Sequence, residues 1–286
     1  EHRPLRQKTM IDEELKPKDP QNGVGTLWGI SVGPGAPDLI TLRAHRILTT
    51  APVIAWPACK EGSTSYAWRI VREYIDEEKQ ETLGLVFPMN KDWSTLVPIW
   101  RESAHKILSH LRAGKDVAFI TTGDAMLYST FLHVWEVIRE IDANVAVQVV
   151  PGVSSITAAS SLTGVALGQG DERVAIVPAT WHEDKLRTLI NDTDTVVLMK
   201  VARVLPRVIE LLEETGRISE AVLVSRGTAE QQIVTRDLHR FKERRLNYLT
   251  LVLIARNRPF LERLRSEAES DARFKKNRQG NENQIS

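Results

Sequence analysis

Short apolar runs alternate with amphipathic stretches along most of this chain. The first apolar run begins after Gly25 and stops at Gly33-Pro34-Gly35, which predicts a strand that ends in a tight loop. Pro37 stands where the first turn of a helix tolerates proline, and the apolar residues that follow recur near one helical face. These residues are Leu39, Leu42, Ile47 and Leu48. A strand, a rigid loop and a helix are therefore expected in succession.

The alternation continues to about residue 150 and predicts a parallel α/β domain over residues 24–150. Between two of its strands, apolar residues from Leu96 to Leu111 recur at helical spacing and indicate a long helix. The other strands of this domain are expected at residues 52–56, 83–87, 116–120 and 145–150.

A second series of strands begins after Pro151-Gly152. Its strands are expected at residues 173–177, 195–199, 221–225 and 248–255, with a helix at 204–212. The expected fold class is therefore α/β, with a second α/β domain at residues 151–262 and the active cleft between the two domains. The ends of the chain are polar, charged and poor in large apolar side chains. We expect a disordered amino-terminal tail at 1–23 and a polar carboxy-terminal tail at 263–286.

Composition narrows the classes of function. The chain has 286 residues, of which 42% are hydrophobic and 26% charged, and its formal net charge is +1. Such a chain lacks the global basic field of sequence-independent nucleic-acid binding, so no nucleic-acid partner is expected. No apolar run is long enough to span a bilayer, so no membrane partner is expected either. Residues 1–22 lack the apolar segment of a secretory signal, and we expect a cytoplasmic protein.

The sequence lacks the usual signatures of metal sites, and two serine segments lack that of a serine nucleophile. Cys59 is the single cysteine, which excludes an internal disulfide and a cysteine-based metal site. His105 and His110 are five residues apart, off a shared helical face, and no His-Glu-x-x-His motif occurs. The segments Ser63-Thr64-Ser65 and Ser154-Ser155 lack the Gly-x-Ser-x-Gly elbow of a serine hydrolase. We therefore expect no protein-bound metal.

The Gly33-Pro34-Gly35 loop is a weak signal by itself. It is neither a dinucleotide-binding fingerprint nor a P-loop, and a tight turn without a ligand is an equal alternative. Three more segments lie at predicted strand ends, namely Thr121–Thr130, Val149–Ala159 and Val196–Lys200. In order and spacing, the four segments resemble the tetrapyrrole methylase family over residues 25–256. The resemblance implies two α/β domains that bind S-adenosyl-L-methionine between them.

Further residues resemble one branch of this family, the precorrin-2 C-20 methyltransferases. They are Pro57-Ala58-Cys59-Lys60, the run Ser65–Val71 and the run Leu85–Met89. The resemblance implies a homodimeric enzyme of cobalamin biosynthesis that methylates C20 of precorrin-2 or of cobalt-factor II. The alternatives are a methyltransferase for uroporphyrinogen III or a later precorrin, and a non-catalytic module that holds donor or corrinoid.

The resemblance also assigns residues to the methyl donor. Asp124 is expected to accept hydrogen bonds from the donor, although capping of a helix that starts at Met126 is an almost equally good role. The family usually has proline after this aspartate, whereas this chain has Ala125, so we expect a less fixed backbone there. The residues expected to bind the donor are Pro34, Thr122, Asp124, Leu127, Ser154, Ser155 and Met199.

The implied acceptor carries acetate and propionate carboxylates, so its site needs cations that make charge-assisted bonds. Two glycines and four cations in or near the motif segments are expected to bind it: Gly33, Gly35, Arg69, Lys200, Arg203 and Arg226. The proton at C20 must leave after methyl transfer, which a base or a bound water assists. Tyr128 is the candidate catalytic residue, which orients the substrate or assists that step. An ordinary half-buried aromatic is the alternative for Tyr128.

Overall fold

The computed structural model describes residues 23–58, 62–87 and 93–256. The chain divides into two compact units after Ser155, and the described residues of each unit form one five-stranded sheet. The fold is therefore mixed α/β with two sheets, as the sequence predicts. The predicted carboxy-terminal tail, most of the amino-terminal tail and four motif residues lie outside the described residues. The four are Cys59, Lys60, Pro88 and Met89.

The sheet of the first unit is parallel throughout. Its strands are β1 (Leu27–Ser31), β2 (Val53–Ala58), β3 (Glu81–Val86), β4 (Val117–Thr121) and β5 (Val147–Val150). They lie in the order β3-β2-β4-β1-β5, so β1 is flanked by β4 and β5. The residues of β1 and β4 are almost all buried, which is typical of parallel strands covered on both faces. The predicted parallel sheet is confirmed, and the bounds of its domain stay a prediction.

Helices cover both faces of this sheet. They are α1 (Leu42–Thr50), α2 (Tyr66–Val71), α3 (Trp93–Arg112) and α4 (Thr130–Ile141), with 3-10 turns at Pro37–Leu39 and Arg72–Tyr74. α3 and α4 pack with Phe119 into one buried cluster, whereas α1 and α2 pack with the neighbouring Ile120 into another. Successive residues of a strand point to opposite faces, so the two clusters lie on opposite sides of the sheet. Most of the predicted apolar stripe of α3 belongs to the first cluster, namely Trp100, Ala104, Ile107, Leu108 and Leu111.

The helix expected after the first loop is interrupted. A 3-10 turn covers Pro37–Leu39, and α1 begins only at Leu42. The side chain of Thr41 caps α1 by accepting a hydrogen bond from the Ala44 N–H at 3.2 Å. Leu42 is 76% exposed, so its predicted place on the face of the buried Leu48 is wrong. One continuous helical periodicity misplaces Leu42 because the chain here is a turn followed by a separate helix.

The sheet of the second unit is mixed. Its strands are β6 (Val174–Pro178), β7 (Thr195–Met199), β8 (Ala221–Ser225), β9 (Ile233–Thr235) and β10 (Thr250–Ala255). They lie in the order β6-β7-β10-β8-β9. β6 and β7 are parallel, β10 is antiparallel to both β7 and β8, and β9 is antiparallel to β8. β7 and β8 therefore point the same way. The sequence predicts four of these strands and misses the three-residue β9.

The second unit also contains helices. They are α5 (Ser155–Thr163), α6 (Glu183–Asp192) and α7 (Leu205–Glu214), with 3-10 turns at Val201–Arg203, Ile218–Glu220 and His239–Phe241. α6 and α7 bury their apolar sides against Val196 of β7 and Val252 of β10. The apolar spacing at 204–212 predicts α7 correctly. Among the described residues, no helix is both long and apolar enough to cross a membrane.

Candidate active site

The loops that follow β4, β1 and β5 lie side by side at one edge of the first sheet. The three strands are parallel neighbours, and the register pairs Ser31, the last residue of β1, with Thr121, the last residue of β4. Ligands of open α/β sheets bind outside the carboxyl ends of the strands. Three of the four predicted motif segments therefore meet at the edge where ligands usually bind.

Gly33 and Gly123 join two of these loops through their backbones. The Gly123 N–H donates to the Gly33 carbonyl at 2.7 Å, and the Gly33 N–H donates to the Gly123 carbonyl at 3.4 Å. Their φ angles are +82° and +73°, which residues with a Cβ rarely adopt. Gly33 and Pro34 are buried, and Gly35 is half-buried. Substrate contacts of Gly33 and Gly35 and donor contacts of Pro34 stay predictions.

Asp124 ties the loop after β4 to the loop after β5. Its Oδ1 accepts from the Met126 N–H at 2.8 Å, and its Oδ2 accepts from the Gly152 N–H at 2.9 Å. Asp124 is half-buried, and each carboxylate oxygen can accept a further hydrogen bond. A hydrogen bond from the donor to Asp124 stays a prediction, to which the structure adds a role in holding two loops.

The alternative role for Asp124, as the cap of a helix that starts at Met126, is wrong. A turn follows Asp124, and α4 begins only at Thr130. The cap of α4 is Ser129, whose Oγ accepts from the Phe131 N–H at 3.1 Å. Asp124 instead forms an Asx turn, in which an aspartate side chain binds the amide two residues further on.

The amide of Ala125 is held by Ser31. The Ala125 N–H donates to Ser31 Oγ at 2.9 Å, and both residues are fully buried. The Leu127 N–H donates to the Asp124 carbonyl at 3.3 Å and closes a β-turn around Ala125. A hydrogen bond and a turn therefore hold this segment in the absence of a proline ring, and the expected looser backbone stays a prediction.

Gly152 lets the loop after β5 approach β1 closely. A Cβ at this position would lie 2.5 Å from the Ser31 Cβ and 3.2 Å from the carbonyl oxygens of Ser31 and Gly123. Only glycine fits so close to a neighbouring backbone. Sequence reasoning misses the roles of Ser31 and Gly152. Their signals are a small polar residue near the end of an apolar run and a glycine that follows proline at a strand end.

Other predicted residues of the first unit lie along these loops or on α2. The half-buried ones are Thr122, Leu127, Ser154 and Ser155. Ser155 is the first residue of α5. Tyr128 is 43% exposed, so the half-buried alternative stays open, and its φ of +52° is left-handed. Arg69 is exposed on α2, which begins after β2 rather than after one of the three strands above.

Two predicted cations share one edge of the second sheet. Lys200 follows β7 and Arg226 follows β8, and these strands point the same way because β10 runs antiparallel to both. The start of β10 lies between them. The Thr250 hydroxyl donates to the Asn247 carbonyl at 2.6 Å and lies 2.8 Å from Ser225 Oγ. Sequence reasoning misses this hydroxyl pair, which joins the ends of β8 and β10.

Residues at this edge adopt strained backbone conformations. Lys200, Arg226 and Thr228 have φ angles of +59°, +49° and +70°, each of which costs about 1–2 kcal/mol for a residue with a Cβ. Strain of this kind concentrates at functional sites. The backbone N–H of Arg226 donates to the Leu249 carbonyl at 2.8 Å, and its guanidinium donates to the Gln231 side chain. The edge therefore carries two basic residues on constrained backbone.

The other two predicted residues of the second unit differ in exposure. Met199 is half-buried at the end of β7, and its carbonyl accepts from the Ala179 N–H at 2.7 Å. Arg203 is exposed on the 3-10 turn that follows Lys200. Within residues 23–58, 62–87 and 93–256, no group of three or more His, Cys, Asp or Glu side chains is arranged to hold a metal ion.

The chain matches one known protein family over most of its length. The family model of tetrapyrrole (corrin/porphyrin) methylases matches residues 26–240. This range includes every predicted site residue.

Curated relatives extend the match to nearly full-length proteins. The cobalt-precorrin-2 C(20)-methyltransferase of Salmonella typhimurium is 35% identical over 231 residues, which cover 80% of this chain and 96% of the relative. The precorrin-2 C(20)-methyltransferase of a Sinorhizobium species is 31% identical over 240 residues, which cover 81% and 96%. A precorrin-4 C(11)-methyltransferase of Rhodococcus erythropolis is 30% identical over 221 residues, which cover 74% and 81%.

Solved structures share the fold at lower identity. A cobalt precorrin-4 methyltransferase matches with a TM-score of 0.61 at 19% identity, covering 80% of this chain and 94% of the other. The uroporphyrin-III C-methyltransferase of Thermus thermophilus, complexed with S-adenosylhomocysteine, matches with a TM-score of 0.58 at 21% identity, covering 81% and 97%.

Proposed function

The chain belongs to the tetrapyrrole methylase family, and we propose that it transfers a methyl group from S-adenosyl-L-methionine to C20 of precorrin-2 or of cobalt-factor II. One observation carries this proposal. Two relatives that match almost end to end at 31% identity or more are C(20)-methyltransferases, one named for cobalt-precorrin-2 and the other for precorrin-2. The reaction would form part of cobalamin biosynthesis.

The loop edge of the first sheet suits such a donor. When bound, the donor supplies a methyl group on a positively charged sulfur. Left-handed glycines at 33 and 123 leave backbone uncovered by side chains, and the amino end of α5 at Ser155 favours a carboxylate. Thr122, Ser154 and Asp124 add polar side chains, while Pro34, Leu127 and Met199 would add apolar contacts. Positioning of this kind suits a methyl transfer, which needs little covalent help from the protein.

The acceptor's carboxylates suit the cations of the second sheet. Lys200 and Arg226 lie at one edge in fixed backbone conformations, and charge-assisted bonds from such groups are stronger than neutral ones. Arg203 and Arg69 are exposed and would reach outer carboxylates. Tyr128 would orient the macrocycle. The cleft expected between the two domains and the group that removes the C20 proton stay predictions.

We also propose a homodimer in the cytoplasm, without a resident metal, on the strength of the resemblance and the composition. Any cobalt in the reaction would then belong to the substrate. Light scattering of the purified protein checks the dimer. A dialysed sample that keeps full activity on metal-free precorrin-2, with chelator present, would support the absence of a resident metal.

The proposed function is tested by offering macrocycles side by side. Purified protein is incubated with labelled donor and, separately, precorrin-2, cobalt-factor II, uroporphyrinogen III and a later precorrin. We expect label, a mass gain of one methyl group and a changed absorption spectrum with one or both dimethylated macrocycles. Transfer only to uroporphyrinogen III or the later precorrin would reassign the substrate. Binding of donor without transfer to any macrocycle would indicate a binding module instead.

A further inference from the structure

We infer that Ser31 is a positioning residue for the methyl donor, because its hydroxyl fixes the amide of Ala125 and so sets the shape of the donor loops. The inference rests on the proposed function. Ser31 ends β1, the strand between β4 and β5, and is fully buried. Its side chain accepts from the loop after β4 through Oγ, and its Cβ faces Gly152 in the loop after β5. One small side chain therefore contacts both neighbouring loops.

The contacts run in a chain from Ser31 to the residues proposed to bind the donor. Ser31 holds Ala125, which follows Asp124 directly, and Asp124 in turn holds the Gly152 amide at 2.9 Å. Gly152 is two residues before Ser154. A change at Ser31 is thus passed to both groups of proposed donor contacts, although Ser31 itself is buried beneath them.

The geometry also makes Ser31 incompatible with proline at position 125. Ala125 is the second residue of the turn closed by the Leu127 N–H and the Asp124 carbonyl, and proline favours that position. Proline, however, carries its Cδ where the amide hydrogen of Ala125 points. The 2.9 Å between that amide nitrogen and Ser31 Oγ leaves no room for the extra carbon. A proline at residue 125 and a hydroxyl at residue 31 are therefore alternative ways to fix the loop after β4.

Three variants test the inference: Ser31→Ala, Ala125→Pro and the two together. The probe is S-adenosylhomocysteine, with its Kd measured by titration calorimetry, and kcat and KM for the donor are measured with the acceptor that reacts. We expect Ser31→Ala to weaken binding about tenfold and Ala125→Pro about a hundredfold. The double variant should bind within about threefold of the unchanged protein. Proline at residue 125 then weakens binding when Ser31 is present and strengthens it when residue 31 is alanine. Loss of a merely structural contact does not produce this reversal.

Asp116→Ala is the matched control. Asp116 lies just before β4, at the opposite end from Asp124, and its carboxylate accepts from the Thr26 N–H at 2.7 Å and the Trp28 indole N–H at 3.2 Å. Its loss should lower the melting temperature and leave the Kd and KM unchanged. If Ser31→Ala does not fold, Ser31→Cys, with a weaker acceptor at the same place, replaces it.

Amide hydrogen exchange and S-adenosylhomocysteine binding together separate failure of this inference from failure of the proposed function. Without any ligand, the Ala125 amide should be protected in the unchanged protein and exchange faster in Ser31→Ala. If the unchanged protein does not bind S-adenosylhomocysteine, the proposed function fails and the role of Ser31 fails with it. If binding is tight and equal in Ser31→Ala, or if the double variant binds as weakly as the two single losses combined, only the role of Ser31 is overturned.

Discussion

The carboxyl edges of the two sheets are built in different ways. In the first unit, side chains at the edge are used to hold backbone, since Ser31 and Asp124 accept from the amides of Ala125, Met126 and Gly152. In the second unit, basic residues stand directly after β7 and β8 in left-handed conformations. Hydrogen bonds from backbone N–H groups hold the first edge in shape, whereas the second edge carries positively charged residues on strained backbone.

This difference agrees with two kinds of ligand. A compact donor is recognised by shape and by backbone groups, which need a rigid set of loops. A macrocycle with several carboxylates is recognised by charge, which tolerates small shifts in position better than a shaped loop does. Variants that add volume should therefore damage the first edge more, and variants that remove charge should affect only acceptor binding at the second.

The largest effect is expected from a single methyl group at Gly152. Gly152→Ala places a Cβ 2.5 Å from Ser31 and 3.2 Å from two backbone oxygens, so we expect a loss of about 3 kcal/mol in the free energy of unfolding. The matched change is Gly227→Ala at the second edge. Its Cβ would meet only side-chain carbons of Val224 and Leu162, at 3.1 and 3.2 Å, and should cost below about 1 kcal/mol. Urea unfolding of both variants measures the difference, and equal losses would contradict a rigid first edge.

Asp124→Ala and Asp116→Ala compare the two ends of one strand. Each variant removes a carboxylate that accepts two N–H groups, so both should lose about 1–3 kcal/mol of stability. Only Asp124→Ala should also weaken S-adenosylhomocysteine binding, by about tenfold or more, because only its loops face the proposed donor. Chemical unfolding and calorimetry on the same samples separate the two effects. Equal loss of affinity in both variants would show that affinity follows stability alone.

At the second edge, glycine should raise stability and lower affinity for the acceptor. Lys200→Gly and Arg226→Gly relieve left-handed strain and should each stabilise the protein by about 1 kcal/mol. The loss of a cation should raise the KM for the acceptor about fivefold, while the KM for the donor stays unchanged. Thr228→Gly is the control, since it relieves a φ of +70° without removing a charge. A raised acceptor KM in Thr228→Gly would mean that backbone shape, rather than charge, is what matters here.

The same contrast explains what the sequence predicts and what it does not. β7 and β8 fall at their predicted bounds, 195–199 and 221–225, because continuous buried runs are bounded by polar residues. The hydrogen bond between Ser31 and Ala125 joins residues 94 positions apart, so it depends on which strands are neighbours, and no local pattern carries it. The sequence likewise does not predict the left-handed φ of Lys200, since lysine has no local preference for that conformation.

The smallest effect is expected from Tyr128→Phe, in the loop between β4 and α4 at the first edge. Tyr128 is 43% exposed and left-handed at φ +52°, in the residue before the Ser129 cap of α4. A side chain that only orients the macrocycle should lose less than about threefold in kcat, with an unchanged pH profile. A proton-transfer role would instead cost about a hundredfold or more. Tyr128→Gly separates backbone from side chain, because it relieves the strain and should stabilise the protein while it removes the ring. A large fall in kcat for Tyr128→Phe would show that the Tyr128 hydroxyl takes part in the reaction, at an edge to which we assign only positioning.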